Sequence, residues 1–200
     1  MNTGMDKHGV RGFLSRRIVT GIVVVGVLAA GFGAYWFQPW KIFTDETVRD
    51  EAPVAAQAPR AAGNPEQSGM PGGEEKPAAV GPVAVSAGNL ISHEHETSGS
   101  VRVLRLPDGS RTLRFENLET SNGPDLRVVL SDAKVVEGKA GWHVFDDNAY
   151  TTLAKLKGNK GSQNYALPAD LDLDRYRSVS IWCDRFDVSF GAAELTAVKA

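Results

Sequence analysis

The 200-residue chain contains a single cysteine, Cys183. It can form no internal disulfide, so an exported chain leaves this thiol free, paired with another molecule, or attached to a cofactor. The three methionines stand at 1, 5 and 70. None lies near the C-terminal histidines, which removes the axial thioether of a blue-copper centre. No charge of one sign dominates: 22 Lys and Arg face 24 Asp and Glu, for a net −2. That balance argues against a nucleic-acid binder, which carries a basic stripe. Aromatic residues are missing between Phe43 and Phe115. In the C-terminal part no helical periodicity of ten residues or more is found, apart from weak stretches near Asp146 to Lys157.

One long hydrophobic run is present. Ile18 to Phe37 reads IVTGIVVVGVLAAGFGAYWF, with no charge. About 20 apolar residues at 1.5 Å each match the hydrocarbon core of a bilayer. Lys7, Arg11, Arg16 and Arg17 precede it, and a cationic flank stays in the cytoplasm. Tyr35, Trp36 and Trp40 suit the outer interface, and Asp45, Glu46, Asp50 and Glu51 follow. The expectation is a cytoplasmic basic segment at 1–17 and a transmembrane helix at 18–37. The C-terminal part would lie outside the cytoplasm of a single-pass cell-membrane protein. A cleaved signal peptide is the rival, but the run is long for one and only Ala29-Ala30-Gly31 offers a weak cleavage site. A buried soluble helix fits poorly, because no polar face interrupts the run.

Residues 38–86 read as an extracytoplasmic linker, most disordered at about 50–84. Proline recurs at 53, 59, 65, 71, 77 and 82 among Ala and Gly. Such a composition buries too little apolar surface to offset its ordering entropy. Proline favours extended chain, so the stretch is expected to be a stalk reaching away from the membrane.

Residues 87–200 carry period-two alternation. It runs through Val101-Arg102-Val103, Leu113-Arg114-Phe115-Glu116, Asp125-Leu126-Arg127-Val128 and Val188-Ser189-Phe190. Turn signals separate the runs: Pro107-Asp108-Gly109, Asn122-Gly123-Pro124 and Gly158-Asn159-Lys160-Gly161. Short, regularly spaced strands predict an all-β domain, an antiparallel sandwich or barrel. In SVSIWC, Val179, Ile181 and Cys183 share one strand face, expected to point inward; Ser180, Trp182 and Asp184 share the other. A cysteine in phase with Val and Ile reads first as a small core residue.

His93-Glu94-His95 has H-x-H spacing. On a strand both imidazoles face one way and could reach one metal, with His143 or Cys183 completing a site. A solvated edge explains the same residues. Asp170, Asp172 and Asp174 begin like a calcium loop. Arg175 and Ile181 stand where that loop needs glycine and a bidentate glutamate, so an exposed edge is expected instead. Gly158 to Ser162 lacks P-loop spacing and reads as a tight turn. No Ser-His-Asp set or paired-carboxylate pattern can be assigned.

Four blocks carry a resemblance: GNLISHEHETSGSVRVLRLPDGSRTLRFENLETSNGPDLRVVLSD, GWHVFDD, LAKLKGNKGSQNYALP and SVSIWCDRFDVSFGAAEL. Together, over about Gly88 to Leu195, they resemble the DM-13 electron-transfer domain family, found also in Skeletor-type proteins. The resemblance implies a β-strand domain with a redox role centred on Cys183. That residue would act as a bare thiol or as the contact of a prosthetic group such as haem, with His95 of the HxxxG block as a second contact. The chain is then an electron-transfer or binding domain rather than a turnover enzyme, with a redox or cell-surface partner. The competing expectation is a surface adhesion module, in which Asn122–Asp125 and Gly158–Ser162 form a recognition face and Cys183 only packs.

Overall fold

The computed structural model describes residues 16–53 and 81–198. Lys7, Arg11 and residues 54–80 of the expected linker lie outside the described residues. The chain divides into two units, Met1–Pro39 and Trp40–Ala200.

In the first unit Arg16–Phe37 form helix α1. By length and composition its Ile18–Phe37 stretch is sufficient to cross a membrane. Its large apolar side chains, Ile22, Val25, Leu28 and Phe32 among them, are exposed. Phe32 and Trp36 stack at 5.9 Å, as side chains four apart on a helix do. Gln38 takes a left-handed backbone, φ +45°, and Pro39 follows, so the helix stops there.

The second unit is a β-sandwich. Its strands are β1 (Thr47–Arg49), β2 (Val83–Asn89), β3 (Ile91–Ser92), β4 (Ser98–Arg105), β5 (Arg111–Glu119) and β6 (Leu126–Ser131). They continue with β7 (Tyr150–Lys155), β8 (Lys160–Leu167), β9 (Ser178–Cys183), β10 (Val188–Glu194) and β11 (Thr196–Ala197). The larger sheet has the order β1-β8-β5-β4-β2-β11; the smaller has β3-β10-β9-β6-β7. All pairs are antiparallel except β1 with β8.

Alternation places the core between the sheets. Val101, Val103, Leu113 and Phe115 of the larger sheet meet Val128, Leu130, Val179 and Ile181 of the smaller, all fully buried. The β4–β5 hairpin turns where Pro107-Asp108-Gly109-Ser110 predicts. Gly109 has φ +83°, and the Asp108 carboxylate accepts hydrogen bonds from Ser110 N and Oγ at 2.9 and 2.6 Å.

Several expectations are corrected. Tyr150–Lys155, within the weak helical stretch, is strand β7, where Thr151 and Thr152 suit pairing with β6. Asp170–Asp174 is a turn, not an edge. Asp172 Oδ1 accepts from the N–H groups of Asp174 and Arg175, and Leu171 is buried. Residues 44–51, expected as linker, lie on the domain: Thr47–Arg49 add a parallel strand to β8. The sheet also begins at Val83, ahead of the expected domain start at 87.

The largest difference concerns β9, which is buried along its whole length. Val179, Ile181 and Cys183 do face the core between the sheets. Trp182, on the face expected to be outward, is only 3% exposed. It joins Val129, Phe145 and Ala192 in a second cluster, with Ala133, Val135 and Val144 packed against it. Segment 132–149 thus covers the outer face of the smaller sheet. Its only regular piece is the short 3-10 turn Gly138–Gly141, so no periodicity announces it. Trp182→Ala should therefore cost about 3–5 kcal/mol in urea unfolding. A cost below about 0.5 kcal/mol is that of an open surface site and would refute burial on this face.

Candidate functional site

Cys183 ends β9 and has no exposed surface. Leu126 and Val188 stand opposite it on β6 and β10. A turn over 184–187 follows the strand at once, so the chain folds back over the sulfur. Burial pushes the Cys183 thiol above its ordinary value, and the nearby Asp125 charge adds to this. The backbone N–H groups of Phe186, Arg185 and Asp125 pull the other way, because hydrogen bonds to sulfur favour its anion. The resting group is a buried, protonated thiol.

Asp125 sits at the rim of this site. Burial raises its carboxyl, but the hydrogen bond and charge of Arg127 and the charge of Lys155 outweigh that and hold it below the usual range. Arg127 Nη2 lies 3.1 Å from Asp125 and 3.0 Å from Asp184, tying the two ends of the turn region together. The Asn122–Leu126 loop lines a small cleft with Lys41, Glu46, Lys155 and Asn159.

A haem does not fit at Cys183. Ligation needs an opening beside the sulfur wide enough for a macrocycle. Here the sulfur is sealed, and the clefts at this end are lined by other residues.

The histidines part company. His93 is buried on the outer face of the smaller sheet. Its Nε2 lies 3.1 Å from the Val136 carbonyl, which only accepts, so Nε2 carries the proton. Its Nδ1 then accepts from Ser189 Oγ at 2.8 Å, and Ser189 accepts from Ser180 Oγ at 2.8 Å. With both ring nitrogens engaged, His93 offers no lone pair to a metal. His95 is half-buried, its ring over Phe190 with centroids 3.9 Å apart. His143 binds the Asp187 carbonyl through Nδ1. Among the described residues no three His, Cys, Asp or Glu side chains are grouped to hold a metal.

Sequence reasoning missed three features. The Ser180–Ser189–His93 relay was hidden because buried serines look like solvated ones. The turn over 184–187 that closes on Cys183, with Phe186 N donating to the Cys183 carbonyl at 3.2 Å, is held by main-chain atoms, which carry no side-chain signal. The third is a pair of acids: Asp146 is raised above the usual range by burial, then by its hydrogen bond and charge contact with Asp187. Asp187 has φ +56°. Gly99 has φ +116°, and a Cβ there would crowd the Glu116 and Asn117 carbonyls; the HxxxG glycine thus lies on β4 opposite a bulge of β5, where Asn117 has φ +50°.

The His93 relay generates a pH prediction. Burial holds the imidazole below its ordinary value, against the pull of the Val136 carbonyl. The unfolded chain therefore takes up this proton first. Stability should fall as pH drops below about 6.5, the value for a free histidine. Asp146, being raised, works in the opposite sense. Urea midpoints between pH 7.5 and 5.5 should decline less steeply in His93→Gln than in the native chain. Equal slopes would clear His93 of the effect.

Comparison with known proteins follows the β-domain. Searches of curated proteins and of solved structures gave no match. A family model described as Electron transfer DM13 matches residues 89–195. That is more than half of the chain, and in the sandwich it runs from the end of β2 to the end of β10. The chain belongs to the DM13 electron-transfer domain family.

Proposed function

We propose that this protein is a single-pass membrane protein that displays its DM13 domain outside the cytoplasm, where the domain takes part in electron transfer centred on Cys183: the thiol gives one electron to a one-electron redox partner and its proton to a neighbouring acceptor, leaving a sulfur radical, and the reverse step restores it. The observation that carries the reading is the one sulfur of the domain, fully buried at the end of β9 within a domain of an electron-transfer family. Burial protects the thiol from sulfenic acid and from mixed disulfides, both hazards of an oxidising compartment. It also speaks against thiol–disulfide exchange, which needs an accessible thiolate. The partner is a redox protein or another cell-surface component. The exposed apolar face of α1 and the basic residues that precede its apolar run, Lys7, Arg11, Arg16 and Arg17, support the anchor and its orientation.

A second reading has its own support. Full burial of Cys183 among Leu126, Val188 and Phe190 is also how a structural cysteine packs, in a domain that binds a surface partner through its loops. One measurement separates the two. Film voltammetry of the detergent-extracted full chain should show a redox couple that disappears in Cys183→Ser while the circular dichroism spectrum is kept. A native chain without a couple, or a couple unchanged by the substitution, overturns the electron-transfer role of Cys183 and leaves the binding module.

Topology has a separate test. A reporter fused after Ala200 should be active only when it requires export. Activity of a reporter confined to the cytoplasm would reverse the orientation.

A further inference from the structure

We propose that the outer edge of β8 is a binding site for an extended acidic strand, filled by Thr44–Glu51 of this chain. This clamp, and not the proline-rich stretch, sets the length of tether between α1 and the domain. The inference does not rest on the role of Cys183.

The β8 edge is shaped for a strand. β1 pairs with it in register, Thr47 with Lys160 and Arg49 with Ser162. The main chain continues the pairing beyond β1, with Lys160 N donating to Glu46 O at 3.1 Å and Asp50 N to Ser162 O at 2.9 Å. Gly158 and Gly161 let the backbones approach. A Cβ at either would collide with the Glu46 or Val48 carbonyl.

Buried side chains read the strand directly. Asn159 is 1% exposed. Its Oδ1 accepts from Glu46 N at 2.7 Å; its Nδ2 donates to Asp45 Oδ1 and to Thr120 O, both at 2.8 Å. Arg114 is 7% exposed, and its Nη1 reaches the carbonyls of Asp50 and Glu51, both at 3.2 Å. Asn164 donates from its backbone to Asp50 Oδ2 at 2.9 Å and from its side chain to Glu51 O at 2.8 Å. Two ion pairs choose an acidic occupant, Lys157 with Asp50 at 2.6 Å and Lys160 with Asp45 at 2.8 Å. Without the strand, the buried Asn159 and Arg114 would lose partners and the sheet edge would lie open.

The topology then fixes what the intervening chain connects. β1 runs parallel to β8, and each step from β8 through β5 and β4 to β2 is antiparallel. β1 and β2 therefore run in opposite directions, so β1 ends and β2 begins at the same end of the sheet. Four strand spacings separate them, about 19 Å. Residues 54–80 thus join two points on one domain. The chain free to act as tether is 38–43, the six residues between Phe37 and Thr44. At about 3.5 Å per residue it reaches no more than about 21 Å. A linker over the whole of 38–86 would reach about 170 Å.

The test uses the full chain in detergent, with a specific protease site inserted between Gly72 and Gly73. After cleavage the piece ending at Gly72 should co-elute with the domain on size exclusion. Excess free peptide with the sequence of residues 43–53 should displace it. In Lys157→Glu/Lys160→Glu, which alters one exposed and one half-buried side chain and none in the core, release should be at least tenfold faster. Gly158→Val, which blocks the backbone approach, should lose the piece as well. Separation of the pieces directly on cleavage of the native sequence overturns the proposal, and so does release unchanged in both variants.

Discussion

Burial of β9 on both faces is the constraint from which most of this domain follows. A strand covered on one side can leave its polar residues to water. Ser178, Ser180 and Trp182 have no such outlet, because segment 132–149 lies over them. Each buried hydroxyl must then find a partner within the protein. Ser178 donates to the Ser131 carbonyl at 3.0 Å, across the β6–β9 pair. Ser180 donates to Ser189, Ser189 to His93, and His93 to the Val136 carbonyl. The relay ends on the covering segment itself, so the same bonds that satisfy the strand hold its cover in place. Cys183 inherits the result: with both faces of β9 closed and a turn directly after it, the residue has no exposed surface.

What was legible in the sequence is the half of this arrangement that shows as alternation. Val101, Val103, Leu113, Phe115, Val179 and Ile181 announce an all-β core because apolar and polar residues take turns, and the hairpin at Asp108-Gly109 announces itself by its turn chemistry. The second face of β9 was not legible for a physical reason. Serine is a polar letter whether its hydroxyl meets water or a buried histidine, and only the three-dimensional partner tells the two apart. The cover over that face is irregular, so no period betrays it. His93 and His95 failed as a pair for a related reason. H-x-H places two rings on one side only if the chain there is a strand, and β3 ends at Ser92. Beyond it the chain bends, one ring enters the cover and the other lies on Phe190.

Strand β1 was illegible in a different way. Thr47–Arg49 is three residues in an acidic, aromatic-free stretch, too short for periodicity and too polar to suggest a core. Its affinity for the domain is written in the receiving edge: in Gly158 and Gly161, which leave room, and in Asn159 and Arg114, which need its carbonyls and amides. The family-matched residues 89–195 include neither β1 nor β11, the two strands that border the larger sheet. A bare sheet edge invites pairing with other chains. Residues on either side of the matched region close both edges, so they complete the fold rather than merely flank it.

Closing the β8 edge also decides which end of the domain the N-terminal segment leaves from. Asn122 Nδ2 donates to the Thr44 carbonyl at 3.0 Å, and Lys41 and Glu46 share a cleft with Gly123, Pro124 and Asp125. The Asp125 carbonyl in turn accepts from Asp184 N at 3.0 Å, next to Cys183. The start of the clamp and the end of β9 are thus joined through one short loop, Asn122–Leu126. That loop is pinned on both sides, by the clamp through Asn122 and by the ion pairs of Asp125 with Arg127 and Lys155. Glycine at 123 matters here because a Cβ would press on Leu126 and Phe190, the side chains that close the core beside Cys183 and beneath His95. The clamp and the cysteine therefore share a neighbour: the loop that Asn122 ties to Thr44 continues into Leu126, which pairs with Cys183 on β9.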